Sequence, residues 1–294
     1  MISRYAPAFL VLTALASIGP AGAAVDSDQE PAPEAAPREW RPFSTVDTEP
    51  GLSLHKDMYA LPLTWSDDFQ GQETEVIFQL SAKLQLFDSR FYVAYTQLAF
   101  WQFYNSPESS PFRETNYNPE VFYRITPTNS SFKNWGADFG IEHTSNGKSE
   151  PVSRSWNRLY GVAHYQKNGF LLSMKAWHRL EEDECPIGPD GLELPRCRDD
   201  SSYDDNPDIA DFMGYTEFHL RYRWLHGKRP QELHLMTRGN LATGKGAATL
   251  DYSYPTGTKD LHWFARVRHG YGESLIDYDR SITRVGVGLV LRRY

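Results

Sequence analysis

The amino-acid sequence predicts an all-β chain closed into a twelve-stranded antiparallel transmembrane β-barrel. Three observations lead there. The chain opens on an export signal. No later run approaches the ~18 apolar residues that a membrane-spanning helix requires. Through segment after segment, apolar and polar residues alternate at period two, the period of a strand whose faces meet different surroundings. An exported chain that crosses a membrane without apolar helices must do so as a closed barrel, because only closure satisfies every backbone hydrogen bond.

Residues 1–23 read as a secretory signal peptide: Arg4 carries the positive charge, Ala8–Ile18 is mostly apolar, and Ala21-Gly22-Ala23 fits the small-residue cleavage pattern. The apolar stretch is short for a membrane anchor and is bounded by Pro7 and by Gly19-Pro20. Residues 24–50, rich in Pro and acidic side chains, read as a flexible lead-in segment. The barrel domain is assigned to residues 51–294.

Within that domain, Val76, Phe78, Leu80, Ala82, Leu84 and Leu86 form one apolar row, with Gln79, Ser81, Lys83 and Gln85 between them. Phe91, Val93, Tyr95, Ala99, Trp101 and Phe103 form the next. Phe170, Leu172, Met174, Ala176 and Leu180 form another, followed by Phe212, Phe218, Leu220, Tyr222 and Trp224. Val285, Val287, Leu289 and Leu291 close the series. About twelve such segments of roughly ten residues are present, the length of a tilted strand crossing a bilayer. Alternation alone also fits a soluble sandwich. The strand length, the large aromatics near row ends and the aromatic last residue, Tyr294, favour the membrane, although Tyr294 is one residue out of phase with the Val285 row.

Composition agrees. Aromatic content is 14%, with 17 Tyr and 8 Trp, as aromatic girdles at two interfaces demand. Mean hydropathy is only −0.56, which a barrel tolerates because alternate residues alone face lipid. The formal charge of −8, with no concentrated basic face, argues against a nucleic-acid partner. Cys185 and Cys197 lie in one Pro-, Gly- and Asp-rich stretch; in an exported chain the pair suggests a disulfide that staples a surface loop.

The chemistry concentrates in residues 135–160, WGADFGIEHTSNGKSEPVSRSWNRLY. Trp135, Ala137, Phe139 and Ile141 make an apolar row that His143 and Ser145 continue, while Asp138, Glu142 and Thr144 occupy the opposite face. Polar groups in a lipid-facing row are costly unless they lie near the interface, where a lipid ester sits. A turn through Asn146, Gly147 and Pro151 then brings a second strand, starting near Ser155, back along the first, with Asn157 beside His143. These are the parts of an activated nucleophile: Ser145 needs a base, His143 can take its proton, and Asn157 can hold the imidazole by its amide oxygen. A His-x-Ser pair by itself is common, and exposed His and Ser are ordinarily just solvated.

The block EHTSNGKSEPVSRSWNRLY resembles the active-site stretch of the bacterial outer-membrane phospholipase A family. Three further blocks, NSPESSPFRETNYNPE (105–120), DDNPDIADFMGY (204–215) and GYGESLIDYD (270–279), resemble the same family in the same order, over about residues 51–294. The resemblance implies a twelve-stranded barrel with its reacting residues on the lipid-facing exterior: Ser145 nucleophile, His143 base, Asn157 orienting His143, and the backbone N–H of Gly147 donating to the oxyanion. It implies a calcium requirement, met by the Ser153 hydroxyl and the Lys148 carbonyl of one chain and the Ser109 carbonyl of a partner chain, with Asp205 a candidate for a secondary calcium site. It implies a homodimer when active and a monomer at rest, with Gln97 at the dimer interface and membrane phospholipids and lysophospholipids as substrates. Gln97 sits on the apolar row of Tyr95 and Ala99, where an amide facing lipid lacks partners unless it bonds across an interface or reaches water at the membrane boundary. The chain departs from the family at Lys148, where Arg is usual, at Glu150, where Asp is usual, and in the long acidic stretch Cys185–Asp200, which reads as a surface loop. Two other classes compete: a porin without enzymatic activity, and a soluble β-sandwich esterase.

Overall fold

In the computed structural model, residues 43–67, 74–126, 131–149, 151–183, 203–226 and 229–293 are described. Thirteen strands form one antiparallel sheet that closes on itself. They are β1 (Leu52–Leu54), β2 (Met58–Ser66), β3 (Val76–Gln85), β4 (Phe91–Trp101), β5 (Phe112–Ile125), β6 (Trp135–Ser145), β7 (Ser155–Lys167), β8 (Phe170–Leu180), β9 (Thr216–His226), β10 (Arg229–Asn240), β11 (Lys245–Pro255), β12 (Leu261–Gly270) and β13 (Ile282–Leu291). Each strand from β2 onward pairs with its chain neighbours, and β13 pairs with β2 to complete the circle. β1 and β2 both pair with β3, Leu54 opposite Ala82 and Tyr59 opposite Gln79. They are therefore one stave of the barrel, broken by a bulge at residues 55–57, and the wall has the twelve staves expected.

The broken stave carries His55, Lys56 and Asp57 into the lumen. His55 Nε2 lies 2.7 Å from Glu120 Oε1, Lys56 donates to Asn118 Oδ1 at 2.6 Å, and Asp57 accepts from Arg221 and from Arg292.

The two faces of the wall differ as the alternation requires. Leu80, Val93, Val121, Phe139, Ile141, Leu159, Leu172, Leu220, Leu250 and Val285 are exposed on the outside. Lys83, Glu120, Asp138, Glu142, Arg223, Glu232, Asp251 and Arg284 are buried on the inside. In water this arrangement would be inverted; in a bilayer it leaves the apolar side chains in hydrocarbon. Many of the buried charges are paired: Arg124 with Asp138 at 2.7 Å, Arg266 with Asp251 at 2.7 Å, and Glu142 with Lys175 at 2.7 Å, while the Lys83 ammonium donates to the Ser44 and Leu54 carbonyls.

Two expectations are corrected. Phe212, placed in the row of β9, lies instead in a short helix, α1 (Ile209–Met213), and is buried. Residues 43–47, in the stretch assigned to a flexible lead-in, are packed against the barrel, while Thr48 and Pro50 are exposed: Phe43 is buried under the Arg223 guanidinium, 4.0 Å from its ring, and Arg124 donates to the Thr45 and Asp47 carbonyls. The signal peptide, Glu150, the cysteine pair Cys185 and Cys197, and Tyr294 lie outside the described residues.

α1 packs at the loop end of the barrel in an apolar cluster with Trp156, Tyr160, Trp177, Leu275 and Tyr278. The four sequence blocks meet around this cluster. Glu114 accepts from the backbone of Ile276 at 2.9 Å, and Asn116 from that of Leu275 at 3.2 Å. Tyr278 donates to Asp208, Asp205 accepts from the backbone of Ser155 at 2.8 Å, and Asn118 donates to the His143 carbonyl at 2.8 Å. Segments far apart in sequence thus brace the end of the β6–β7 hairpin.

Candidate active site

The β6–β7 hairpin pairs His143 with Asn157 and Ser145 with Ser155. Opposed residues on antiparallel strands share a face, so His143, Ser145 and Asn157 all lie on the outer surface, beyond the exposed Phe139 and Ile141. His143 Nδ1 stands 2.9 Å from Asn157 Oδ1. The amide oxygen can only accept, so Nδ1 carries the proton and Nε2 is left as a base. Among the described residues no hydrogen bond joins Ser145 Oγ to His143; the two are neighbours on one face, separated by one residue. Bonds of this kind often close only around substrate.

Asn146, which the sequence reading used only as a turn marker, organises the segment after β6. It is buried. Its side-chain oxygen accepts from the backbone N–H of Lys148 at 3.2 Å and of Arg154 at 3.1 Å, and its amide donates to the Val152 carbonyl at 2.7 Å. Asn side chains readily mimic a backbone turn in this way. Gly147 then takes φ +64°, and a Cβ there would lie 3.0 Å from the Tyr117 ring. Both the left-handed backbone and the close ring favour glycine.

Ser153 Oγ donates to Asp205 Oδ2 at 2.6 Å, and Asp205 Oδ1 accepts from the Ser155 N–H. Lys148 is in the same turn, its ammonium tied to the Arg113 carbonyl at 2.6 Å. A serine hydroxyl whose proton is already used, a carboxylate and a peptide carbonyl are oxygen donors without nitrogen or sulfur among them, and they suit a hard cation such as calcium. Ser109 is elsewhere. It follows the single 3₁₀ turn Ser106–Glu108 on the β4–β5 connection, at φ +60°, and no contact among the described residues joins it to Ser153 or Lys148.

Gln97 lies on the outward row of β4, but its amide oxygen is not without a partner, since the Tyr95 hydroxyl donates to it at 3.1 Å. In the sequence reading Gln97 has no partner on its own strand, although the i, i+2 spacing puts Tyr95 on the same face. A residue missed in the sequence is Glu182. Asn157 Nδ2 donates to its Oε1 at 2.8 Å. Glu182 lies two residues beyond Leu180, which is paired with Asn157. It therefore extends the outer row of β8 as His143 and Ser145 extend that of β6.

Fold and site together define an outer-membrane β-barrel with a hydrolase-like residue set on its lipid-facing surface. The phospholipase A1 family model matches residues 44–291, and the chain belongs to that family of outer-membrane ester hydrolases. It is 39% identical to the phospholipase A1 of Klebsiella pneumoniae over 238 residues, which cover 77% of this chain and 73% of that protein. It is 37% identical to that of Escherichia coli K12, over 77% and 72% of the two chains. Among solved structures it is similar to the outer membrane phospholipase A of Escherichia coli, with a TM-score of 0.69 at 34% identity, over 82% of this chain and 98% of that one. It is equally similar, at TM-score 0.69 and 34% identity, to the Salmonella typhi outer membrane phospholipase dimer with bound calcium, over 82% and 92%.

Proposed function

We propose that this phospholipase cleaves acyl esters at both glycerol positions of phospholipids, and those of lysophospholipids, through Ser145, His143 and Asn157. The observation that carries the reading is the His143–Asn157 hydrogen bond of 2.9 Å on the outer face, in line with Ser145. An Escherichia coli relative in which an active-site asparagine is replaced by alanine lends support.

The steps follow from the residues. As the ester carbonyl settles over Ser145, His143 Nε2 takes the hydroxyl proton and Oγ attacks the carbonyl carbon. The resulting oxyanion forms where the Gly147 N–H can donate to it. Collapse breaks the bond to glycerol oxygen, which takes the proton from His143 and leaves as the lysolipid alcohol. The acyl group remains on Ser145. His143 then removes a proton from water, the hydroxide attacks the acyl-enzyme, and the free fatty acid leaves with the proton returned to Ser145. Asn157 keeps the imidazole in the tautomer these transfers need. Ser153, the Lys148 carbonyl and a partner chain's Ser109 carbonyl would hold calcium, with Asp205 beside them. When bound, the ion supplies positive charge near the developing oxyanion. Because one ligand comes from a second copy, the site is complete only in the homodimer, with Gln97 at the contact, and the monomer is the resting form.

A fluorophosphonate ester probe tests the assignment. Mass spectrometry of the labelled, detergent-refolded protein should find the adduct on Ser145, with labelling much slower in His143→Ala. Labelling at another serine, or equal labelling in both proteins, would contradict it.

A further inference from the structure

Asn157 stands between two partners. Its side-chain oxygen meets His143 Nδ1 at 2.9 Å, and its nitrogen donates to Glu182 Oε1 at 2.8 Å. We propose that Glu182 is a positioning residue of the hydrolytic site: acting through Asn157, it fixes which way the amide faces and adds, one side chain further out, the negative charge that a neutral asparagine lacks. This rests on the reading of Ser145, His143 and Asn157 given above.

Hydrogen-bond chemistry fixes the direction of the amide. An ionised carboxylate can only accept, so the amide must turn its NH₂ towards Glu182 and its oxygen towards His143. An amide free to flip would also present N–H to Nδ1–H, a donor facing a donor, and spoil the tautomer that leaves Nε2 as a base. Charge acts in the same direction. A carboxylate bonded to the amide nitrogen polarises the amide, and its oxygen then supports the imidazolium better.

The placement of Glu182 agrees with this role. Glu182 extends the outer row of β8 beyond Leu172, Met174 and Leu180, where a carboxylate is costly unless it is engaged. Of its two oxygens, Oε1 is bonded to Asn157, while Oε2 is buried without a hydrogen-bond partner. The charged groups that face Glu182 are Arg179, Asp204 and Asp205. Arg179 is held by Asp204 at 2.5 Å, which leaves the carboxylate to Asn157. Burial pushes the Glu182 carboxyl up from its ordinary value, and the Asn157 hydrogen bond draws it back. The segment is pinned just beyond, where Asp183 bridges to Tyr203 and its backbone carbonyl accepts from the Asp204 N–H at 2.8 Å.

The test is fatty-acid release by the full chain refolded in detergent at saturating calcium, across pH, with heat-modifiable gel mobility as the check on folding. Glu182→Gln keeps the shape and an acceptor but removes the charge. It should lower kcat about fivefold with KM unchanged, and move the acid limb of the kcat/KM profile to lower pH, because the imidazolium loses a nearby anion. Glu182→Ala, which also frees the amide to flip, should lower kcat further, about twentyfold. Glu182→Asp, which keeps the charge, should retain the wild-type acid limb. In an Asn157→Ala background, Glu182→Gln should change nothing more, since its effect travels through the amide. An unmoved acid limb in folded Glu182→Gln, or losses that simply add in the double variant, would overturn the proposal. An inactive wild type would instead overturn the reading of the site on which it rests.

Discussion

At the scale of single residues, Ser145 should be indispensable and Asn157 important in proportion to how firmly it holds His143. Asn157→Ala should cost about 10²-fold in kcat and leave the barrel folded, as gel mobility and circular dichroism would show. Gly147→Ala should destabilise the turn by about 1 kcal/mol for the left-handed backbone alone. It should also push on the Tyr117 ring, so kcat falls more than global stability does. Residues of this kind divide sharply in how far the sequence reveals them. His143 and Ser145 stood out because polar groups interrupt a lipid-facing row, and Asn157 because the β6–β7 hairpin returns it to His143. Glu182 follows the same rule on β8. It went unread because the β7–β8 register, which sets Asn157 against Leu180, is not visible until the strands are paired. Asn146 was hidden for another reason: its partners are backbone groups, which any sequence contains.

At the scale of elements, the β6–β7 hairpin is the platform, and its precision depends on how closely β5, β6 and β7 approach. A Cβ at Gly140 would lie 2.6 Å from the Val121 carbonyl oxygen, 2.7 Å from Phe122 Cβ and 2.8 Å from the Tyr160 ring. Gly140→Ala should therefore lower stability by about 1–3 kcal/mol in urea titrations in lipid vesicles, and reduce activity three residues away at His143. A strand whose row runs unbroken, such as β3, was legible from alternation because one face meets hydrocarbon and the other a charged lumen; β8 was legible although His178 interrupts its outer row. Phe212 was misplaced because it continues the two-residue phase of Phe218 while α1, only five residues long, is too short to display a helical period. The interrupted first stave escaped notice for a related reason. His55, Lys56 and Asp57 are three consecutive polar residues, and nothing local says that all of them find partners across the lumen.

At the scale of the whole molecule, the barrel is held by its hydrogen-bonded wall and by buried ion pairs such as Arg221 with Asp57 and Glu232. None of these involves the oxygens assigned to calcium. Chelation should therefore abolish hydrolysis while the barrel's heat-modifiable mobility stays unchanged; unfolding on chelation would contradict the assignment. Dimerisation should respond to the outer surface. If the proposed dimer forms, Gln97→Ala should weaken it by about 1 kcal/mol, roughly fivefold in dissociation constant by analytical ultracentrifugation, with the monomer intact. The family, the barrel and its place in the outer membrane follow from the match over residues 44–291 and from the inverted burial. The central claim is that hydrolysis happens at Ser145 on the outer wall. The direct measurement is fatty-acid release from a diacyl phospholipid by the refolded protein and by its Ser145→Ala variant, each with calcium and with a chelator. Release by wild type with calcium alone, and a loss of about 10⁴-fold or more in the folded variant, is the expected result. Comparable release by a folded Ser145→Ala protein would contradict the account.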